Sequence, residues 1–351
     1  MLVHLAALVN ALRALVAASP IATTAKLCPI LRGARMKQRR LAQRSTMRHL
    51  RFSLHLYGDP TASARAVEEA GFDAAHFGEH LLFHAGGTMN GIVALSGAAA
   101  VTSRIRLIST ITYVPLYRPA ILAWLATSLD HLSKGRFEIG VGVGGEYPQA
   151  FELAGVALEE RGAITDEVLE VVTRLWSEEE VTFEGRFSSF QHVRWSPKPI
   201  QKPFPIWVGG RKEPSMRRAA RYGTGWLPYM YSPERLASSI ATVRRYAEQF
   251  DRDPDAIRMG VLLFVTVGPD SATAKTVAAE LVGAGYRRDV RHLVDRYLVA
   301  GTPDECRSRL RDYYDAGARF VFITLRAQRQ EADEMMRLLV SDVLPEFQLG
   351  K

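Results

Sequence analysis

The chain has 351 residues, of which 47% are apolar, so it is long enough to bury one large hydrophobic core. Its two cysteines, Cys28 and Cys306, exclude a disulfide framework and a cysteine-rich zinc cluster, and they indicate a reducing, cytoplasmic setting. The formal net charge is +8, but residues 1–46 carry 8 of the 45 basic residues and none of the 37 acidic ones. The rest of the chain is balanced in charge and gives no indication of a basic face for nucleic acid.

Residues 1–46 are predicted to be a basic N-terminal extension, and the folded domain is predicted to span residues 47–351. The first 18 residues are apolar, but no basic stretch precedes them, and Asn10 and Arg13 interrupt the run, unlike a secretory signal. The run is also short for a membrane span, so no membrane association is expected. A disordered tail or an upstream start codon is the favoured explanation, and a targeting peptide is the alternative.

From Arg51 onward, short apolar runs alternate with segments of helical periodicity. The eight predicted strands are Arg51–Tyr57, Asp73–Gly78, Arg106–Tyr113, Arg136–Val143, Pro205–Val208, Gly225–Pro228, Arg258–Val267 and Arg319–Leu325. Helical patterns lie between most of them, for example at Thr61–Ala70, at Ala120–Leu132 and after the N-cap pair Thr302-Pro303. Eight strand–helix units in series favour an α/β fold of the TIM-like (β/α)8 barrel type, with an open doubly wound sheet as the alternative.

About sixty residues separate the fourth and fifth predicted strands, and they predict an insertion in the barrel. The insertion, Gly144–Phe204, holds one predicted helix at Glu160–Trp176. It continues into a segment from Phe183 to Pro203 that is rich in aromatic residues. That segment is interpreted either as a lid over an apolar substrate or as simple packing.

Two strand ends are rich in glycine. The fourth strand ends in Gly140–Glu146 (GVGVGGE), and the fifth ends in Trp207–Arg211 (WVGGR) just before a helical segment. Glycines at the carboxyl ends of barrel strands let the backbone approach a ligand, and a helix N-terminus favours an anion. These features favour a phosphorylated cofactor, with tight turns that hold no ligand as the alternative.

The segment from His76 to His80 (HFGEH) matches the H-x-x-E-H pattern of zinc proteases, which needs both histidines on one helix face. The sequence around Gly78 favours a strand instead, and no third ligand is apparent, so no metal site is predicted. We expect Glu79 and His80 at the barrel mouth, where a histidine can exchange protons near neutral pH. A hydrogen-bonded structural histidine is the alternative.

Several runs together resemble the luciferase-like monooxygenase superfamily, notably LDHLSKGRFEIGVGVG, KPIQKPFPIWVGG and RRAARYGTGW. The similarity extends from about Arg51 to Pro345, and it is greater to members that use the deazaflavin coenzyme F420 than to those that use FMN. The resemblance implies a TIM-like barrel with the cofactor lying across the carboxyl ends of the strands.

The resemblance also implies roles for individual residues. A non-proline cis peptide that supports the cofactor ring is expected within Thr110, Ile111 and Thr112. Contacts to the phosphate side of the cofactor are expected from Gly142, Val143, Gly144 and Gly145, with a second contact from Gly209 and Gly210. The expected proton-handling group is His80 together with Glu79 or Glu146.

The sequence departs from the family pattern at three places. His84 stands where a deazaflavin glucose-phosphate dehydrogenase of this superfamily has tryptophan, and Thr224 replaces a usual aspartate. The catalytic glutamate of that enzyme falls at or beside Gly145, so Glu146 fills its place only with a shift of one residue. A sugar-phosphate substrate is therefore not expected.

The implied function is hydride transfer between coenzyme F420 and a small organic substrate. Two alternatives stay open: an FMN-dependent monooxygenase on the same barrel, and a flavin- or deazaflavin-binding protein without turnover. The resemblance further implies a homodimer that pairs through barrel helices.

Overall fold

The computed structural model describes residues 49–82, 87–328 and 331–348, and in this part of the chain eight parallel strands close into a barrel. In order around the barrel they are β1 (Arg51–His55), β2 (Ala74–Phe77), β3 (Arg106–Ser109), β5 (Phe137–Gly142), β8 (Ile206–Gly209), β9 (Gly225–Leu227), β10 (Arg258–Val267) and β12 (Phe320–Leu325). β12 pairs with β1 and closes the ring. The predicted barrel and its eight strands are confirmed.

In the described part of the chain, four further strands lie outside this ring. β4 (Thr112–Tyr113) follows β3 in the chain and pairs with β5, and β11 (Val299–Gly301) pairs with β10. β6 (Val181–Glu184) and β7 (Ser189–Val193) form an antiparallel hairpin. The single strand predicted over residues 106–113 is therefore wrong in one respect, since Thr110 and Ile111 interrupt it.

Helices connect most of the strands and cover the outside of the barrel. The described helices are α1 (Pro60–Glu69), α2 (Gly91–Val101), α3 (Pro119–Leu132), α4 (Pro148–Leu153), α5 (Arg161–Ser177), α6 (Glu213–Tyr222), α7 (Pro233–Gln249), α8 (Ser271–Tyr286), α9 (Val294–Tyr297), α10 (Pro303–Asp315) and α11 (Ala332–Leu338). The predicted N-cap of α10 is confirmed, because Thr302 and Glu305 form a capping box there. No helix in this part of the chain is long and apolar enough to span a bilayer.

The interior of the barrel is charged at the amino-terminal ends of the strands. Glu138 is fully buried there and accepts hydrogen bonds from Arg106, from Arg258 and from Nε1 of Trp207, the last at 2.6 Å. The Trp207 ring contacts Phe320 and Phe322 in the apolar layer above this cluster. These side chains fill the barrel interior at the amino-terminal ends of the strands. The carboxyl ends of the strands form the open mouth of the barrel.

The segment between β5 and β8 holds α4, α5 and the β6–β7 hairpin. The turn of the hairpin is fixed to α5, because the Glu167 carboxylate accepts hydrogen bonds from the N–H groups of Arg186 and Phe187. The Phe183 and Phe190 rings stack at 6.0 Å and, with Trp195, pack against the main core. These contacts favour the packing interpretation of the aromatic residues over a lid.

Two sets of sequence predictions lie outside the described residues. One is the N-terminal extension at residues 1–46, including Cys28, and the other is the position of His84.

Candidate active site

His80 and Tyr113 meet at the mouth of the barrel, just beyond β2 and at the end of β4. The Tyr113 hydroxyl lies 2.9 Å from Nδ1 of His80, and the two rings are perpendicular. Burial lowers the pKa of His80, and the negative charge of Glu146 opposes that shift. Burial also raises the pKa of the Tyr113 phenol, so at neutral pH the pair consists of a neutral imidazole and a neutral phenol.

Glu79 is buried beside His80, and its carboxylate accepts hydrogen bonds from two backbone N–H groups. One oxygen accepts a hydrogen bond from the N–H of Tyr113 at 3.1 Å, and the other accepts from the N–H of Gly91 at 3.1 Å. The side chains of Asn90 and Tyr117 donate to the same carboxylate. Glu79 therefore ties β4 to the N-terminus of α2, where a negative charge is favourable.

Glu146 lies exposed on the loop after β5. Its Oε1 accepts a hydrogen bond of 2.6 Å from the Tyr229 hydroxyl, and the Arg211 guanidinium stands 4.6 Å from the Tyr229 ring. Burial, followed by the charge of Glu146, raises the pKa of Tyr229 and also that of Tyr286, the latter to about 12. The negative charge of Glu146 thus acts on several groups around the mouth, including His80.

The peptide bond between Thr110 and Ile111 is cis, at the break between β3 and β4, where the resemblance predicted it. The Ile111 side chain turns toward the neighbouring strands. A Cβ at Gly142 would lie 1.8 Å from Cδ1 of Ile111, and a Cβ at Gly209 would lie 2.9 Å from its Cγ2. Glycine at both positions is therefore explained by the Ile111 side chain, and contact of these two residues with a cofactor stays a prediction.

The two threonines beside Ile111 differ in their surroundings. The Thr112 hydroxyl is buried in the barrel wall and donates to Oγ of Ser109 at 3.1 Å. The Thr110 hydroxyl is also buried, but within the described residues it has no hydrogen-bond partner. Since buried polar groups normally have partners, Thr110 is the one of the pair that fits a contact with a bound molecule.

The glycine-rich loops after β5 and β8 adopt backbone conformations that favour glycine. Gly144, Gly145 and Gly210 have φ values of 62°, 111° and 130°. Among the described residues, the N–H groups of Gly144 and Gly145 have no hydrogen-bond acceptor. Half-buried Val143 joins these glycines to β5. Bare N–H groups in such a loop are suited to an anion.

Within the described residues, the side chains of the H-x-x-E-H segment are not arranged as a metal centre. His76 lies within β2, fully buried, and its Nδ1 is 2.8 Å from the Ser53 hydroxyl, while Glu79 is bound as described above. In the described part of the chain, no group of three His, Cys, Asp or Glu side chains is placed to hold a metal ion.

Four residues at the mouth were not selected from the sequence: Tyr113, Tyr229, His55 and Arg326. His55 is the last residue of β1, and Arg326 directly follows β12. Side chains alternate along a strand, so the inward-facing residue at each carboxyl end could have been chosen as a mouth residue from the predicted strands alone. No local motif marks any of the four.

A family model described as luciferase-like monooxygenase matches residues 56–319. The chain belongs to this family. An uncharacterised protein of Mycobacterium tuberculosis is 36% identical to this luciferase-like chain over 157 residues, which are 45% of the chain and 54% of that protein. The chain thus spans about half the length of the mycobacterial relatives it matches. An F420-dependent glucose-6-phosphate dehydrogenase of Kineococcus radiotolerans is 27% identical over 307 residues, 80% of the chain and 90% of the dehydrogenase.

Solved structures of luciferase-like proteins share the barrel. The monooxygenase RslO1 from Streptomyces bottropensis superposes with a TM-score of 0.76 at 26% identity, over 85% of this chain and all of that one. The coenzyme F420-dependent tetrahydromethanopterin reductase from Methanopyrus kandleri superposes with a TM-score of 0.71 at 20% identity, over 86% of this chain and all of the reductase.

Proposed function

We propose that the protein is an oxidoreductase that transfers a hydride between coenzyme F420 and a small organic substrate. The observation that carries the proposal is the neutral His80–Tyr113 pair at the mouth of the barrel. The similarity to an F420-dependent dehydrogenase over 80% of the chain supports the choice of cofactor. Glucose 6-phosphate is not proposed as the substrate, because the sequence departs from that enzyme at the positions given above.

The residues at the mouth fit a large phosphorylated ring cofactor. The Thr110 hydroxyl, which has no hydrogen-bond partner among the described residues, would face the ring, and the N–H groups of Gly144 and Gly145 would hold the phosphate. Gly210 precedes α6, which begins without a side-chain cap, so its first turn offers a second place for negative charge. When bound, the deazaflavin would supply a hydride to the substrate or accept one from it.

In this proposal His80 moves the proton that accompanies the hydride. Its lowered pKa keeps the ring neutral at pH 7, so the ring can accept a proton from an alcohol, and in the reverse direction it returns that proton. The Tyr113 hydroxyl lies 2.9 Å from Nδ1 of that ring. Tyr113 is a positioning residue that fixes the ring orientation, as partners of catalytic histidines commonly do.

The two glutamates have different parts in this scheme. Glu79 is saturated with backbone and side-chain donors, so it is a structural support for Tyr113 and α2 rather than a proton carrier. Glu146 is exposed and acts on His80 through its charge, raising the histidine pKa against the effect of burial. Of the two glutamates, Glu146 is the one that can change the pKa of His80 or pass a proton to it.

An FMN-dependent monooxygenase is the second candidate, favoured by the 26% identity to the monooxygenase RslO1. Anaerobic reactions of the full chain with reduced and oxidised F420 and a panel of ketones, enones and alcohols distinguish the two. Substrate-dependent change in F420 absorbance without oxygen supports the proposal. Turnover that needs FMN, a flavin reductase and oxygen supports the monooxygenase, and tight binding without redox change in either assay supports a carrier.

We also propose that the protein forms a homodimer through α2 and α3, which pack against each other on the barrel surface. Val93 on α2 and Trp124 on α3 are both 61% exposed, and Ile121 is 46% exposed. Large apolar side chains grouped on adjacent helices are typical of a protein interface. Light scattering of the wild type is expected to give twice the monomer mass, and Trp124→Glu is expected to give the monomer mass. A wild-type monomer would rule the homodimer out.

A further inference from the structure

Arg326 stands at the mouth on the side of the barrel opposite to β5. It directly follows β12, where alternate residues face the barrel interior. The inward-facing residues of β12 are Phe320, Phe322 and Thr324, and the first two contact Trp207. Arg326 is the next residue in this series. Its backbone is fixed, because its N–H donates to Val265 O at 2.8 Å and its carbonyl accepts from the Thr266 hydroxyl at 2.8 Å. The side chain therefore belongs to the inward face at the carboxyl end of β12.

Within the described residues, the guanidinium of Arg326 forms no ion pair. It stands 4.7 Å from the centre of the Phe264 ring, and its Nε is buried without a hydrogen-bond acceptor among the described residues. At the other end of the same barrel, Arg106 and Arg258 both pair with the buried carboxylate of Glu138. Unlike these two arginines, partly buried Arg326 has no carboxylate partner among the described residues, although charges withdrawn from water are normally paired.

The groups around Arg326 do not neutralise it. His55, Tyr57 and Tyr286 are its neighbours in charge interactions, and all three are uncharged at neutral pH. The pKa of His55 is lowered to about 4, first by burial and then by the charge of Arg326. The exposed carboxylate of Glu146 is bound by the hydroxyl of Tyr229, which follows β9. Among the described residues, the positive charge of Arg326 is therefore left without a paired counter-charge.

We propose that Arg326 binds an anionic oxygen group, a carboxylate or a phosphate, carried by the substrate of the proposed oxidoreductase reaction. The planar guanidinium matches two oxygens of such a group in one contact. β5 and β12 are separated by three strands in either direction around the barrel, so Arg326 lies across the mouth from Gly144 and Gly145. The phosphate of the cofactor and the anionic group of the substrate therefore have separate sites.

This inference names the substrate class of the proposed function, and it can be tested without turnover. Binding of benzoate, benzamide and phenyl phosphate to the full chain is measured by calorimetry, with and without F420. Benzoate and benzamide have nearly the same shape and differ in charge. We expect benzoate or phenyl phosphate to bind at least about 10-fold more tightly than benzamide. The stronger of the two identifies the anionic group as carboxylate or phosphate.

Three variants locate the anion. Arg326→Gln is expected to remove the preference for the anion, and Arg326→Lys to keep part of it. Arg319→Gln, at the other end of β12 and exposed, is the matched control and is expected to keep all of it. A second readout by NMR is the pKa of His55, which should rise in Arg326→Gln and stay unchanged in Arg319→Gln.

Three results would overturn the assignment: equal binding of benzoate and benzamide by the wild type, no binding of any probe, or a preference that survives in Arg326→Gln. A loss of F420 affinity in Arg326→Gln, with displacement of benzoate by F420, would instead assign Arg326 to the cofactor. If the anion preference depends on Arg326 while neither F420 nor FMN binds, the proposed function fails and the anion site stands.

Discussion

The hydroxyl of Tyr113 lies 2.9 Å from Nδ1 of His80, and the backbone N–H of the same tyrosine donates to the carboxylate of Glu79. Tyr113 of β4 thus contacts both Glu79 and His80, which follow β2. Because the position of Tyr113 depends on Glu79, the orientation of the histidine ring depends on both contacts. This coupling gives Glu79, whose carboxylate accepts hydrogen bonds from four groups, a structural role beside the histidine.

Tyr113→Phe removes the hydroxyl that holds His80 and leaves the ring of residue 113 in place. We expect kcat with F420 to fall by about 10- to 100-fold, because the histidine loses its fixed orientation, and we expect the Kd for F420 to change little. Steady-state kinetics and fluorescence titration measure the two quantities. Tyr222→Phe is the control, since that hydroxyl contacts Glu170 between α6 and α5. Equal losses in the two variants would contradict the role of Tyr113.

Glu146→Gln removes the charge that opposes the lowering of the His80 pKa. The pKa of His80 should therefore fall further, and the acidic limb of the pH–rate profile should move to lower pH, since the neutral imidazole is the active base. NMR titration of the histidine gives the pKa directly. Tyr229→Phe keeps the charge and should have a smaller effect, and Glu152→Gln, exposed on α4, should have none. An unchanged His80 pKa in Glu146→Gln would refute this coupling.

Gly142→Ala places a methyl group against Ile111, whose Cδ1 would lie 1.8 Å away. We expect a loss of about 1–3 kcal/mol in the free energy of unfolding, as for other overpacked cores. Adding Ile111→Val removes Cδ1 and should recover most of that loss, which a double-mutant cycle in urea measures. Gly285→Ala is the control, because a Cβ there meets nothing within 4 Å and α8 should gain stability. Strictly additive effects at 142 and 111 would contradict the packing described.

Glu138→Gln leaves Arg106 and Arg258 without a counter-charge at the base of the barrel. We expect the free energy of unfolding to fall by about 3 kcal/mol, the usual effect of breaking a buried ion pair. The two arginines and Trp207 hold the pKa of Glu138 below its ordinary value against the effect of burial. This contribution is therefore present at neutral pH and lost as the pH falls through that lowered pKa. Glu334→Gln, in an exposed pair with Arg337, should change stability by less than about 0.5 kcal/mol.

The barrel could be predicted from the sequence because its strands are buried on both faces. Runs such as those of β10 and β12 are apolar throughout, which is typical of parallel strands covered by helices. The break between β3 and β4 could not be found in this way, since residues 106–113 contain no glycine or proline and β-branched residues occur on both sides of the break. The resemblance, rather than the periodicity, predicted the cis peptide that lies there.

The site was predicted in outline but not in its contacts. The positions of His80 and Glu146 at the mouth follow from strand ends. The saturation of Glu79 depends on the N-terminus of α2, twelve residues further along the chain. Glycine at 142 and 209 suggested a ligand, whereas the structure explains both by Ile111, a contact between three different strand ends that no local pattern encodes.

The most direct test of the proposed function is a titration of the purified full chain with F420 and, separately, with FMN, followed by fluorescence and absorbance. We predict saturable binding of F420 in preference to FMN. Preference for FMN would support the FMN-dependent monooxygenase instead, and binding of neither cofactor would contradict the proposed function.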